Sequence, residues 1–195
     1  GVGLTGVFLW YLVRFWVYGK AVVLTSAPLT IPAGFLIAGM AVATLIGAAL
    51  ASWAAGPISE RIEEKNIPVA RVVAGACLLY AIGLGLAWGL GVWSTGTARE
   101  NGMLLFALIS GFAFGIYDSL GLELVMDSLP DPRRAGHDLG IYALANSAGL
   151  ALAAIIGALL VNAFEHSFGY YLLFPSAIVM VLLAGIVTLT TKSAE

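Results

Sequence analysis

A chain of 195 residues that is 61% hydrophobic and only 10% charged, with a mean hydropathy of +0.98, is not composed like a soluble domain. Its net charge of −2 argues against nucleic acid as a partner, which calls for a basic face. The single cysteine, Cys77, excludes an intrachain disulfide and leaves the redox compartment unreadable.

Six stretches are long and apolar enough to cross a bilayer: 6–29, 34–55, 69–92, 103–126, 139–164 and 168–190. A hydrocarbon core of ~30 Å takes about 20 residues of helix. Backbone groups in lipid have to be satisfied within the segment, and these runs are too long and too evenly apolar for barrel strands. The expected fold is therefore all-α: a polytopic membrane protein of six transmembrane helices with short linkers and no soluble domain. The chain starts at Gly1 and lacks a basic leader, a short apolar region and a cleavage site, so it shows no signal peptide and reads as a fragment or a processed piece.

The first span carries Arg14 and Lys20 among Trp10, Tyr11, Phe15, Trp16 and Tyr18, and ends near Pro28 and Pro32. Charges inside a span cost roughly 2.5–3.5 kcal/mol each on insertion scales, so they usually face a partner or a water-filled cavity, or snorkel to the surface. The second span repeats small residues every fourth position, Gly39, Ala43, Gly47 and Ala51, which places them on one face for close helix packing. It leads into Gly56-Pro57-Ile58-Ser59-Glu60-Arg61, expected at a helix end. The third span is uncharged beyond Arg71. The fourth contains Tyr117, Asp118 and Glu123. The fifth follows Asp127-Ser128-Leu129-Pro130-Asp131-Pro132-Arg133-Arg134. Asp138 is set to favour its N-terminus, and it carries Tyr142, the mid-helix amide Asn146, and a second small-residue strip, Ala145, Gly149, Ala153 and Gly157.

Counted from the ends of the apolar runs, Arg14 and Asp118 fall at similar depth on the same side, so the expected pair is Arg14–Asp118. Lys20 is then a substrate or coupling candidate, and Glu123 a shallow proton-site candidate. The two strips lie on helices that cross in opposite directions, as an inverted three-plus-three repeat requires. Arg61, Lys65, Arg71, Arg133, Arg134 and Lys192 gather on one side and only Arg99 on the other, which makes the basic side and both termini cytoplasmic.

Gly56-Pro57-Ile58-Ser59-Glu60-Arg61 resembles the G-x-x-x-D-R loop motif of the major facilitator superfamily, with Glu60 in place of the Asp and a degraded basic cluster behind it. The Leu129-Pro130 linker with its charges and the Leu139-Gly140 helix start resemble the connection between helices ten and eleven of that superfamily. Phe8-Leu9-Trp10-Tyr11-Leu12-Val13-Arg14-Phe15 resembles the start of helix seven. The resemblance spans the chain as helices seven to twelve, and is nearest to the glycoside–pentoside–hexuronide:cation and sucrose-transporter-like branch. It implies the C-terminal half of a secondary transporter in the plasma membrane. A six-helix N-terminal half would pack against spans two and five, and Gly56, Glu60 and Arg61 would form a cytoplasmic clamp. A small, sugar-like solute would move with a proton or cation, with no cofactor and no metal; the alternative is a drug/proton antiporter.

Rival classes are a non-transporting membrane subunit and an intramembrane enzyme. Tyr117-Asp118 resembles one element of membrane aspartyl proteases, but the second element is only approximated by Ala135-Gly136-His137-Asp138, in a linker. Ala145-Asn146-Ser147-Ala148-Gly149 misses the nucleophile-elbow pattern and its strand–turn–helix setting. No phosphate-binding loop occurs, so the energy source would be a gradient.

Overall fold

The computed structural model describes residues 5–6, 8–9, 12–13, 17, 31–65, 67–93, 97–127, 135–163 and 166–190. All of its regular structure is helical. Spans two to six become the helices Ile31–Glu64, Val69–Trp93, Thr97–Asp127, Ala135–Ala163 and His166–Thr190. Each contains a segment long and apolar enough to cross a membrane. The described residues of span one belong to a further helix that packs into the same core.

Span four lies at the centre. Its helix packs along spans two and three, span three also packs on span six, and span six on span five. Matched glycine contacts give the register. A Cβ on Gly39 would meet Leu104, one on Gly47 would meet Phe112, and one on Gly115 would meet Ala48 and Ala51, so spans two and four run parallel. Gly83 faces Ile109 and Gly102 faces Leu90, so spans three and four run antiparallel. Spans two and five, the strip helices, are the least enclosed: 22% and 17% of their apolar windows are buried, against 50% and 44% for spans three and four.

The main core joins Leu12, Val13, Leu36, Met40, Leu84, Met103, Leu173 and Phe174. Most of these residues lie toward the end where span three stops at Trp93 and span four starts at Thr97. A smaller cluster of Ala51, Val73, Ala76, Ile116 and Leu120 sits toward the opposite, basic end, with Ile58, Ile62, Val69 and Val72 packed on it. In lipid such packing is driven by close van der Waals contact instead of water exclusion. Hydroxyls within the spans mostly turn back on their own helix. Thr44 donates to the Met40 carbonyl at 2.9 Å, Ser119 to Gly115 at 2.8 Å and Ser147 to Ala143 at 3.0 Å. A buried hydrogen bond between Thr5 Oγ1 and Tyr80 Oη, 3.1 Å, ties separate spans together. The Tyr80 ring in turn meets the edge of Phe106 at 6.0 Å.

One expectation is corrected here. The motif Gly56-Pro57-Ile58-Ser59-Glu60-Arg61 is not a loop: the span-two helix runs through it to Glu64, with Pro57 inside. The apolar run ends, but the helix does not. Ile58 and Ile62, four residues apart, dock on the smaller cluster while Glu60 and Arg61 stay exposed. Asp138 lies just inside the fifth helix, which begins at Ala135, near the N-terminus it was expected to favour.

Candidate functional site

One face of span four reads Met103, Ala107, Ser110, Phe114, then Tyr117 and Asp118, at helical spacings of three and four. Its first half is covered: Met103 is 1% exposed and Ala107 2%. Its second half is open, with Phe114, Tyr117 and Asp118 all exposed. Phe114 and Tyr117 stack, with ring centroids 6.4 Å apart and planes 29° from parallel. The Tyr117 hydroxyl is within electrostatic range of Tyr142 on span five as well as of Asp118 beside it. The result is a ledge of aromatic rings and a carboxylate, closed at the Trp93–Thr97 end and open at the basic end. Asn146, exposed on span five, lies about 16 Å along that helix from Ala135; Asp118 lies about 14 Å before the end of span four at Asp127. Neither makes a hydrogen bond to another described residue.

Helix register gives the level of Asp118 against the neighbouring spans. Gly115 meets Ala51, so Asp118 is level with the end of the apolar run 34–55. Gly83 opposite Ile109 puts Arg71 at about the level of residue 121, less than a turn further on. Asp118 therefore sits where the charges begin, and not within the uncharged interior. A carboxylate there keeps access to water, at less cost than one at the helix centre.

Arg14 and Lys20, and with them the expected Arg14–Asp118 pair, lie outside the described residues. Thr5 bonds Tyr80 near the middle of span three, and Phe8 lies against Gly157, near the far end of span five. Glu123 is on the span-four helix, four residues before Asp127.

The strip glycines divide. Gly47 is buried against the backbone of Leu108 and Phe112, a Cβ on Gly39 would lie 3.2 Å from the Leu104 side chain, and Gly157 receives the Phe8 ring. Each seats a helix of this same chain, so these positions of the strips are occupied within the bundle. Gly149 is exposed and has nothing within 4 Å, so among the described residues it packs on nothing. Gly56, Glu60 and Arg61 are exposed at the basic end.

Sequence reasoning passed over Phe114, whose i, i+3 spacing to Tyr117 was the available signal. Among the described residues no group of three His, Cys, Asp or Glu side chains could hold a metal.

The family model of the Major Facilitator Superfamily matches residues 4–195. No curated protein and no solved structure matches the chain. Members of this family are secondary transporters and not enzymes. The match covers nearly the whole chain and agrees with an all-helical bundle of apolar, membrane-length helices, so this chain is an integral membrane protein that belongs to the Major Facilitator Superfamily.

Proposed function

We propose that the chain is the C-terminal, six-helix half of a carrier that moves a small solute with a proton or cation by alternating access, with a sugar-like solute favoured. The observation that carries this reading is the ledge on span four. One helix face is sealed at one end and open at the other, and the open half bears Phe114, Tyr117 and Asp118. A carrier caught open on one side presents such a face. Stacked rings suit the apolar face of a sugar ring, and Asp118, at the mouth, suits proton exchange with the basic-side solution. Asn146 and Tyr142 supply hydrogen-bonding groups from span five.

The exposed sides of spans two and five support an N-terminal half as the partner, docked on residues the strips do not use. The clustering of Arg61, Lys65 and Arg71 at one end supports a cytoplasmic basic side in the plasma membrane with both termini cytoplasmic. A drug/proton antiporter is the second reading, because stacked rings beside a carboxylate also suit an aromatic cation.

The test uses the full-length protein in proteoliposomes. A pH gradient should drive uptake of a sugar; gradient-driven export of a lipophilic cation instead would favour the antiporter. Asp118→Asn combined with Glu123→Gln should abolish gradient-driven accumulation while solute exchange persists. Unchanged accumulation in that double variant would refute proton coupling through this face.

A further inference from the structure

Among the described residues, the indole N–H of Trp88 is a buried donor without a hydrogen-bond acceptor. Trp88 lies on span three and packs on the main core. A phenyl ring would fill the same space, so the N–H is what the indole adds. An unmet donor inside a bundle is costly, and what lies across the seam bears on how it is met.

That seam is the one between spans three and six. A Cβ on Gly185 would lie 3.3 Å from the Cys77 Cβ, so these two residues face each other. Trp88 is eleven residues after Cys77, and Phe174 is eleven residues before Gly185. Eleven residues make three turns plus about 20°, so each stays on the seam face of its helix. The two spans are an odd number of crossings apart and run in opposite directions, which makes Trp88 level with about Phe174. Between the two levels the seam is tightly closed: Ala81, Leu84, Ala177 and Val181 are all buried.

Next to Phe174, span six carries Pro175 inside its helix. Proline has no N–H, so the carbonyl of Tyr171, four residues back, receives no helix bond from it. In a membrane such a carbonyl is satisfied by a neighbouring helix or by ordered water. A carbonyl oxygen has two lone pairs, so it can accept there whatever else Tyr171 touches. Tyr171 is three residues, or about 4.5 Å, from the level of Trp88, and its carbonyl points back toward that level. Trp88 is turned about 20° from the Cys77 direction, away from the face that carries Gly83, and Tyr171 about 60° from Phe174, away from the fully buried Leu173. Donor and acceptor therefore share the outer edge of the seam. Gly83 opposite Ile109 and Leu90 opposite Gly102 put Trp88 level with about Leu104, five residues or about 7.5 Å inside Arg99. The path for a water from the Trp93–Thr97 end is short.

We infer that the seam of spans three and six binds one ordered water, which accepts from the Trp88 indole N–H and donates to the Tyr171 carbonyl. The bridge offsets the helix bond that Pro175 removes and ties span three to span six at the bend. A donor and an acceptor this close without a direct bond are the setting in which a single water is worth nearly a direct hydrogen bond. The site is separate from the ledge on span four and stands whether or not the solute reading holds.

The experiment compares the full-length protein with its Trp88→Phe variant, so that the difference spectrum isolates this one indole. Ultraviolet resonance Raman should report a hydrogen-bonded N–H at Trp88. The infrared difference of the same pair should contain a water O–H band that shifts in heavy-oxygen water. Pro175→Ala restores the missing amide donor and should weaken both signals. Trp88→Phe should also lower the unfolding midpoint by about 2–4 °C, and by clearly less in the Pro175→Ala background. A free N–H at Trp88 would overturn the site. A bonded N–H without an isotope-sensitive water band would overturn it too, by revealing a direct partner. So would spectra and midpoint shifts that ignore Pro175→Ala. The two spectroscopic readouts on Trp88→Phe need no change at position 175, so they decide the matter even if Pro175→Ala fails to fold.

Discussion

The seam between spans two and four makes Gly111→Ala the most telling single substitution. An added Cβ there would lie 2.8 Å from the Thr44 Cα and closer still to the Thr44 carbonyl oxygen. Ordinary contact is ~3.5–4 Å, so the two backbones have to part by about 1 Å. No flexible side chain can yield in their place, because the obstacle is main chain. Overpacking of this kind costs about 1–3 kcal/mol. At about 2–4 °C per kcal/mol for a chain of this size, the unfolding midpoint should fall by roughly 3–10 °C. Gly149→Ala is the matched control: the same methyl on the other triplet's strip, exposed with nothing within 4 Å. By helix propensity alone it should be neutral or stabilise by up to about 1 kcal/mol. The assay is thermal unfolding in detergent, read by a thiol-reactive fluorophore, since Cys77 is buried and becomes reactive on unfolding. Equal midpoints for Gly111→Ala and Gly149→Ala would refute the argument that backbone contact at this seam sets the packing of the helices.

Other consequences can be measured in the same preparation. Thr5→Val and Tyr80→Phe should each destabilise the protein, and a double-mutant cycle should return a coupling of about 0.6 kcal/mol, the average for hydrogen bonds between membrane helices; a coupling of zero would remove the bond. Ile62→Ala should cost about 1–2 kcal/mol by emptying part of the basic-end cluster, on the low side because Ile62 is half-buried, whereas Glu60→Ala on the same helix should change stability by less than about 0.5 kcal/mol. Equal effects would mean that this segment is not a docked helix. Asp118→Cys should react with a membrane-impermeant thiol reagent added on the side of the Arg61–Arg71 connection, while Cys77 does not; protection of position 118 from that side would contradict its place at the boundary.

The class, and the five apolar runs that become the membrane-length helices of spans two to six, were legible in the sequence because they depend on one-dimensional quantities. The length of an apolar run is compared with a fixed hydrocarbon thickness, and a charge is costly wherever it enters that layer, so both can be read without knowing any neighbour. Azimuth and level are different, because they belong to pairs of helices. With 24 glycines in the chain, a spacing of four recurs easily, and only the packed bundle separates Gly47 and Gly157, which seat other helices, from Gly149, which seats none. Counting along one apolar run does not give the level of Asp118 against its neighbours, because the register of the span-four helix, which starts at Thr97, is set by Ala48 and Ala51 across the seam. The helix through Gly56–Arg61 escaped notice for a related reason. Pro57 signals a helix end locally, and the docking of Ile58 and Ile62 on spans three and four, which favours the helical form, is a tertiary contact. The chain's own letters thus determine that it lives in a membrane and which of its runs form membrane-length helices; which faces meet, and which residues stand level across a seam, follow from how closely one backbone can approach another.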